Sequence, residues 1–321
     1  MVGRKKETVV VGAGVMGLAT AWSLAQSGAS VSVLEQFEVG HTRGSSHGSA
    51  RIFRLSYPAA SWVRLAQEAL PLWRELEGRT GAELLRTTGS LDIGSSLPHT
   101  AALDECGVPY EELDAAETAR RFGLDVPSVY QRDGGVALAD RTLTALRDSA
   151  VAAGARLEEG VRVADLEDVD ADTVVVTAGA WAPKLGVELP VRVTRETVSY
   201  FDVGRESLSI IDWTGEHVVY ALSTPEGRLK VGIHHDGSDT DPDEEGEPNP
   251  DQVRAATEWV AQRFGPAEPA FSETCLYTTT ADESFILERR GRYVIGSACS
   301  GHGFKFAPVI GRRLSRLALD G

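Results

Sequence analysis

The chain opens with two kinds of apolar run. Val9 to Val11 is short and unbroken, as in a strand buried on both faces. A Gly-rich turn follows, then a helical stretch that ends near Gly28, then a second short run from Val31 to Leu34. Ser61 to Glu77 carries Trp62, Leu65, Ala69, Leu72, Trp73 and Leu76 at helical spacing, which predicts a helix. Residues 80–131 read as mixed strand and helix, with EELDAAETARRF a short amphipathic helix, and Ala139 to Ala153 reads as helix again. ARLEEGVRVADLEDVDADTVVVTAGAW predicts strand, strand, a short connection and a buried strand over Thr173 to Thr177. The last of these ends in a small-residue turn, as a sheet needs where backbone nears a ligand. Residues 191–233 alternate apolar and polar in several runs, the antiparallel pattern. The acidic, Pro-rich stretch 236–252 predicts a solvated linker. A helix over Val253 to Phe264, a strand over Arg292 to Gly296, a loop over Ser300 to Lys305 and a helix starting near Pro308 complete the chain. No internal repeat is present.

The first turn carries chemistry. Its glycines fall as G-x-G-x-x-G at Gly12, Gly14 and Gly17. Gly12 permits the tight turn, Gly14 lets backbone approach a pyrophosphate, and Gly17 lets helix and strand pack closely. Free amides at the helix start then hold a diphosphate. Glu35 ends the second strand 18 positions after Gly17, where a carboxylate accepts from ribose hydroxyls and repels an added phosphate. Strand, helix, second strand and terminal acid all agree on dinucleotide binding. The fingerprint does not separate FAD from NAD.

Composition narrows the partners. At 321 residues with 42% hydrophobic and 25% charged positions, the chain has room for two domains or one large one with a sizeable core. With 47 Asp and Glu against 32 Lys and Arg, the formal charge is −15, which disfavours nucleic acid and an anionic membrane surface. Cys106, Cys275 and Cys299 are too few and scattered for a disulfide framework, and no Cys/His spacing suggests a metal site; a reducing cytoplasm fits. Residues Thr8 to Leu34 lack charge and follow Arg4, Lys5 and Lys6, like a signal peptide or anchor. Gly12, Gly14 and Gly17 and several Ser, Thr and Gln interrupt them, so a buried strand–turn–helix–strand is the better reading.

Five segments, VVVGAGVMGLATAWSLA, GSSHGSARIFRLSY, LKVGIHH, CLYTTTADESFIL and SGHGFKFAP, occur in the order seen in a known family. The chain resembles the monomeric sarcosine oxidase / N-methyltryptophan oxidase family, FAD-dependent amine oxidases of the broader D-amino-acid-oxidase superfamily, over roughly residues 7 to 318. The paired CLYT and SGHGFK motifs select FAD over NAD. The resemblance implies an α/β plus α+β fold: a Rossmann-type FAD-binding domain (1–80, 132–192 and 281–321) with an inserted antiparallel-sheet substrate domain (81–131 and 193–280). It further implies that Cys275, thirty residues before Lys305, is joined through sulfur to the flavin's 8α-methyl carbon. Cys106 and Cys299 read as structural. Arg43, Ser45, Ser46, Gly179, Gly301 and Gly303 join the glycine fingerprint and Glu35 as expected cofactor contacts.

The resemblance also assigns a substrate site. Arg54 and Lys305 are similar to the pair that clamps a substrate carboxylate, a planar fork beside a point charge. Tyr277 resembles an aromatic wall for the amine's methyl group, and Tyr220 and His302 are further substrate contacts. Lys230 resembles the lysine that promotes reaction with O2, a fixed charge used as in an oxyanion hole. Arg51 resembles an arginine beside the flavin; His234 and His47 are pocket candidates. Trp213, Leu222 and the 221–229 loop are expected to line the pocket.

The implied reaction moves a hydride equivalent from the carbon bearing a secondary amine to the flavin, releases an imine to hydrolysis, and passes electrons to O2 to give hydrogen peroxide. The amine must react uncharged, which cations and an apolar cavity both favour. A small amine carboxylate and O2 are the implied partners, and a monomer is the family expectation. Departures bear on pocket shape: the Tyr220–Lys230 segment looks shortened, Ala281 replaces a usual proline, and the chain ends at Gly321 where relatives carry a further tail. Three alternatives fit parts of the pattern. Lys230 speaks against a same-fold dehydrogenase or demethylase using another acceptor, Arg54 with Lys305 against a non-catalytic flavin-binding subunit, and the CLYT and SGHGFK pair against an NAD-dependent dehydrogenase.

Overall fold

The Val9–Val11 run has no polar face to leave wet, and it becomes an inner strand of a mostly parallel sheet. The computed structural model describes residues 7–94, 97–297 and 299–320; Arg4, Lys5, Lys6 and Gly321 lie outside them. Strand Glu7–Val11 lies between Ser30–Leu34 and Thr173–Val176. Arg156–Glu158 extends the sheet on one side, Tyr293–Ser297 and then Ile286–Arg290 on the other, and only this last pairing is antiparallel. Side chains alternate between two cores. Val10 packs with Leu18, Leu24, Leu146, Ile310 and Leu314 of helices Val15–Gln26, Ala139–Ala152 and Ala307–Leu319. Val9 and Val11 face Leu166, Val169 and Leu185 instead.

The second layer is a nine-stranded, predominantly antiparallel sheet. Its path runs Ser238–Asp239, Val191–Phe201, Leu229–Ile233, Val219–Ser223, Ser209–Asp212, Ser90–Ile93, Ser128–Gln131 and Glu111–Leu113, with Pro269–Thr280 paired along Val191–Phe201. Strand alternation decides its chemistry. Leu229, Val231 and Ile233 point toward Trp259 and Val260 of helix Pro250–Phe264, together with Val219, Ala221 and Ile210. The opposite face carries Lys230, Tyr220, Leu222, Ile211, Val198, Cys275 and Tyr277, all of which line one cavity. A small antiparallel sheet of Arg51–Phe53, Gly135–Ala137 and Leu85–Thr87 lies between the layers in sequence and brings Arg51 and Arg54 to the same place.

Four expectations are corrected. Of EELDAAETARRF, Glu111–Leu113 pairs as a strand and only Ala115–Phe122 is helical, capped by Asp114, whose side chain accepts from the Glu117 amide. Only Arg156–Glu158 of the expected strand pair before Thr173 forms; residues 160–164 leave the sheet edge, and the amides of Gly160 and Val161 donate to Phe37 and Glu35 carbonyls instead. The acidic stretch 236–252 is not merely solvated. Its Asp243 carboxylate accepts from Trp181 Nε1 (2.8 Å), Arg162 (2.9 Å) and Lys184 (2.7 Å), straps the antiparallel sheet to the parallel one, and is held below the usual carboxylate range by those donors. The expected loop at 300–305 ends in a 3₁₀ turn, Phe304–Phe306. Among the described residues no helix is long and apolar enough to cross a membrane.

Candidate active site

A single elongated cavity of about 360 Å³ runs between the two layers, from the Gly12–Gly14 turn past Cys275 to Arg54 and Lys305. At its first end backbone approaches backbone. Gly12 has φ +98°, and a Cβ there would lie 2.7 Å from the Thr177 carbonyl; one at Gly17 would lie 1.9 Å from the Gly12 carbonyl. Ser46 Oγ accepts from the Val15 amide at the start of the helix (3.1 Å). Glu35 is buried, and its carboxylate accepts from the Ala13 and Phe37 amides (2.7 and 3.0 Å), which fix it at the cavity edge with lone pairs to spare. A glycine cradle, free amides at a helix N-terminus and a terminal acid fit the diphosphate and ribose of FAD.

The middle of the cavity is walled by the antiparallel sheet. Cys275 is unpaired and buried, and burial pushes its thiol up to about 11 against the opposing pull of Arg51 and Lys230. Ser45 donates to the Leu276 carbonyl, tying the 44–50 loop to the cysteine strand. Arg51 pins the same loop by donating to the carbonyls of Ser45 (2.9 Å) and His47 (2.6 Å). His47 is held near 4 by burial and by Arg51, so it is neutral. Lys230 is 3% exposed, and burial and Arg51 bring its ammonium down to about 7.

The far end is cationic. Arg54 is 8% exposed and donates to the Ser56 carbonyl (2.7 Å) and to the fully buried Asp92 (3.1 Å). Its guanidinium lies 4.3 Å from the Tyr57 ring and 5.6 Å from that of Trp213. The Lys305 ammonium donates to the His302 carbonyl (2.8 Å), and burial and Arg54 hold it well below the usual lysine range. Trp73 Nε1 donates to the Lys305 carbonyl (2.7 Å) and fixes its turn. Burial first, then neighbouring positive charge, makes His234 and His302 neutral, His302 at about 3. Gly301, at φ +69°, brings its backbone so close that a Cβ would lie 2.4 Å from the Tyr277 ring and 2.7 Å from His234.

Of the residues expected from sequence, the cavity gathers Gly12, Gly14, Glu35, Ser45, Ser46, Gly179, Cys275, Gly301 and Gly303, as well as Lys230, Arg51, His234, Arg54, Lys305, Tyr277, His302 and Tyr220. Gly17 lies behind the turn, in the helix–strand contact. Arg43 points away, stacking on Phe37 at 4.9 Å and donating to the Asp243 carbonyl (3.0 Å). Trp213 and Leu222 line the wall, but the 223–228 hairpin tip does not. Cys299 lines the cavity as well, while Cys106 lies elsewhere.

Sequence reading missed Arg162, Lys184, Trp181 and His41 at the dinucleotide end, and Asp92 behind Arg54. It also missed His235 and Glu283, whose ligand-type atoms converge with those of the expected His234 within 4.8 Å. His235, Glu283 and Ser300 are the non-glycine residues with positive φ among those described. No sequence signal distinguishes these acids and bases from their solvated neighbours.

The family description "FAD dependent oxidoreductase" matches residues 7–317. Peroxisomal sarcosine oxidase of Homo sapiens is 33% identical, over 98% of this chain and 92% of that protein. Monomeric sarcosine oxidase of Arthrobacter sp. (strain TE1826) is 29% identical over the same shares. Among solved structures, NikD, an unusual amino acid oxidase essential for nikkomycin biosynthesis, superposes with a TM-score of 0.87 at 28% identity, covering 98% of this chain and 94% of NikD. The glycine cradle, the acid at the second strand's end and the family match over nearly the whole chain agree: this protein is an FAD-dependent oxidoreductase of the DAO family.

Proposed function

We propose that the protein oxidises secondary amino acids, either N-methyl amino acids of the sarcosine type or cyclic imino acids, with O2 as acceptor. The observation that carries this reading is the order of groups along one cavity: glycine cradle, then Cys275 and Lys230 on one sheet face, then the buried Arg54 and Lys305. Amine and O2 give imine and hydrogen peroxide, and water then splits the imine. FAD, when bound, supplies the two-electron acceptor. In this reading the parallel-sheet segments 1–80, 132–192 and 281–321 form the FAD domain, and 81–131 with 193–280 the substrate domain.

The side chains divide the work. Arg54 and Lys305 take the carboxylate; a planar fork held by Asp92 supplies direction, and the arriving carboxylate favours the charged form of Lys305, against the burial and the Arg54 charge that otherwise disfavour it. Tyr277 and Tyr220 wall the amine substituent and exclude water. Two buried cations and an apolar wall disfavour an ammonium, so the substrate nitrogen is held uncharged for reaction. His302 Nε2 faces the Glu283 carbonyl at 3.3 Å, which assigns the proton to Nε2 and leaves buried Nδ1 as an acceptor. Glu35 takes ribose hydroxyls, and Ser46, Gly14 and Gly179 line the dinucleotide path. Cys275 would hold the flavin through a thioether, the thiol and the flavin methyl losing one hydrogen each with O2 as the final acceptor of the two electrons, and Lys230 supplies the positive charge for O2. We read the enzyme as a monomer working in the cytoplasm, where its three free cysteines stay reduced.

Purified protein should be yellow and stay yellow after acid precipitation, while Cys275→Ala should bind flavin yet release it in acid. Sarcosine, N-methyltryptophan, proline or pipecolate should bleach the flavin under nitrogen, with peroxide on readmitting air. Colourless protein, or a flavin that none of these bleaches, would overturn the reading.

A further inference from the structure

Lys230 is an awkward choice for a permanent cation. It sits on the fully buried strand Leu229–Ile233, between Val219–Ser223 and Val191–Phe201, and it has Arg51 for company. Burial and that arginine bring the ammonium down to about 7 even with Glu273 and Asp140 pulling the other way, so its charge is marginal near neutral pH and depends on the acids that face it. A group that steadies negative charge must stay charged. Something must oppose the loss.

The register of the sheet supplies it. Val198 lies opposite both Gly232 and Glu273, which places Glu273 on the same face as Lys230, one strand further along. Glu273 Oε1 is 3.8 Å from Lys230 Nζ. Tyr200, directly opposite Lys230, donates its hydroxyl to the same Glu273 oxygen, and its ring lies 5.4 Å from Nζ. Phe271 stacks on Tyr200 at 4.3 Å and fixes that ring. Burial and Glu273 raise the Tyr200 phenol far above its ordinary range, so it remains a donor throughout the working pH range.

The other groups facing the amine are accounted for. Arg51, from the small sheet, opposes the charge. Asp140, at the start of helix Ala139–Ala152, favours it, although burial raises that carboxyl. Cys275 is uncharged, whether as the buried free thiol or as the proposed thioether, and His47 is neutral. Glu273 is the acid paired with Nζ within 4 Å, and it is the one oriented by a buried hydroxyl.

We propose that Glu273, oriented by the Tyr200 hydroxyl, is a positioning residue that keeps the Lys230 amine protonated and aimed into the cavity, and thereby sets the alkaline limit of the reaction with dioxygen. This rests on the reading of Lys230 as the dioxygen-side charge. Protonated Lys230 is the working form. Removing Glu273 therefore lowers the pH at which the charge is lost, and the alkaline limb of flavin reoxidation moves toward lower pH.

The test uses the flavin-loaded protein. The chain has five lysines, Lys5, Lys6, Lys184, Lys230 and Lys305, so ¹³Cε-lysine NMR resolves their titrations, and Lys230→Met assigns the resonance of interest. In Glu273→Gln the Lys230 midpoint should fall by about one pH unit or more, as expected for loss of a carboxylate at this range. Flavin reoxidation in stopped flow should slow about tenfold on the alkaline side for each unit of that fall, while anaerobic bleaching by substrate keeps its rate. Tyr200→Phe, which leaves the core shape intact, should shift both readouts in the same direction by less; it carries the test alone if Glu273→Gln loses its flavin. An unmoved Lys230 midpoint in these variants overturns the inference. A Lys230→Met protein that reoxidises like the parent overturns instead the underlying reading of Lys230.

Discussion

The two ends of the cavity are built in opposite ways. The glycine end is centred on one stretch, residues 7–35, in which neighbours in sequence are neighbours in space: a strand, its turn, the helix, and the next strand with its terminal acid; Ser46, Gly179 and Arg162 add to it from elsewhere. The cationic end, proposed to take the substrate, comes from scattered places, with Arg54 from beside one small sheet, Lys305 from a turn before the last helix, and Tyr220, Lys230 and Tyr277 from three strands of another sheet. The first end relies on backbone groups and tolerates no added atoms. The second relies on buried charges that must be matched by counter-charges. Local geometry makes a site that a short pattern announces; register and burial make one that no short pattern announces.

The sharpest way to break the first end is Gly17→Val. A Cβ at position 17 meets the Gly12 carbonyl at 1.9 Å, so the turn must move, and the protein should purify colourless with no flavin retained on gel filtration. At the other end, Arg54→Met should raise KM for an amino-acid substrate steeply. It should also cost about 3–5 kcal/mol of stability in urea unfolding, because Asp92 is left buried and unpaired. Adding Asp92→Asn should restore much of the stability and none of the KM. If both recovered together, Arg54 would be a structural cation and no carboxylate clamp. Between the layers, Asp243→Asn removes a charge that serves Arg162, Lys184 and Trp181 at a half-exposed position, and the loss should be only about 1 kcal/mol, shrinking in high salt.

These differences explain what could be read ahead of the structure. The glycine turn, Glu35, the helices at 61–77 and 139–153 and the antiparallel run after 191 follow from local pattern, and the structure has them. Cys275, Arg54 and Lys305 stood out through family resemblance, and the structure brings them to one cavity. Asp92, Glu273 and Asp243 were illegible because an acid in a sequence looks the same whether water or an arginine will face it. Their partners lie at separations of 38, 43 and up to 81 residues, and only the tertiary fold brings them together. The misread strand at 160–164 is the same lesson from the backbone side. Its alternation suits an edge strand, but the sheet ends at Arg156–Glu158, and its amides find the carbonyls of Glu35 and Phe37.

The single reactive face of the antiparallel sheet has an evolutionary consequence. Because alternate side chains point to opposite sides, one extra residue inside Leu229–Ile233 would turn the Lys230 amine into the greasy interior against Trp259, and one inside Pro269–Thr280 would turn the Cys275 thiol and Tyr277 phenol out of the cavity. Lengthening or trimming the 223–228 tip does no such damage, since it overhangs the solvent. New substrate tastes in this lineage should thus arise by exchanging individual wall residues or remodelling hairpin ends, with strand lengths frozen.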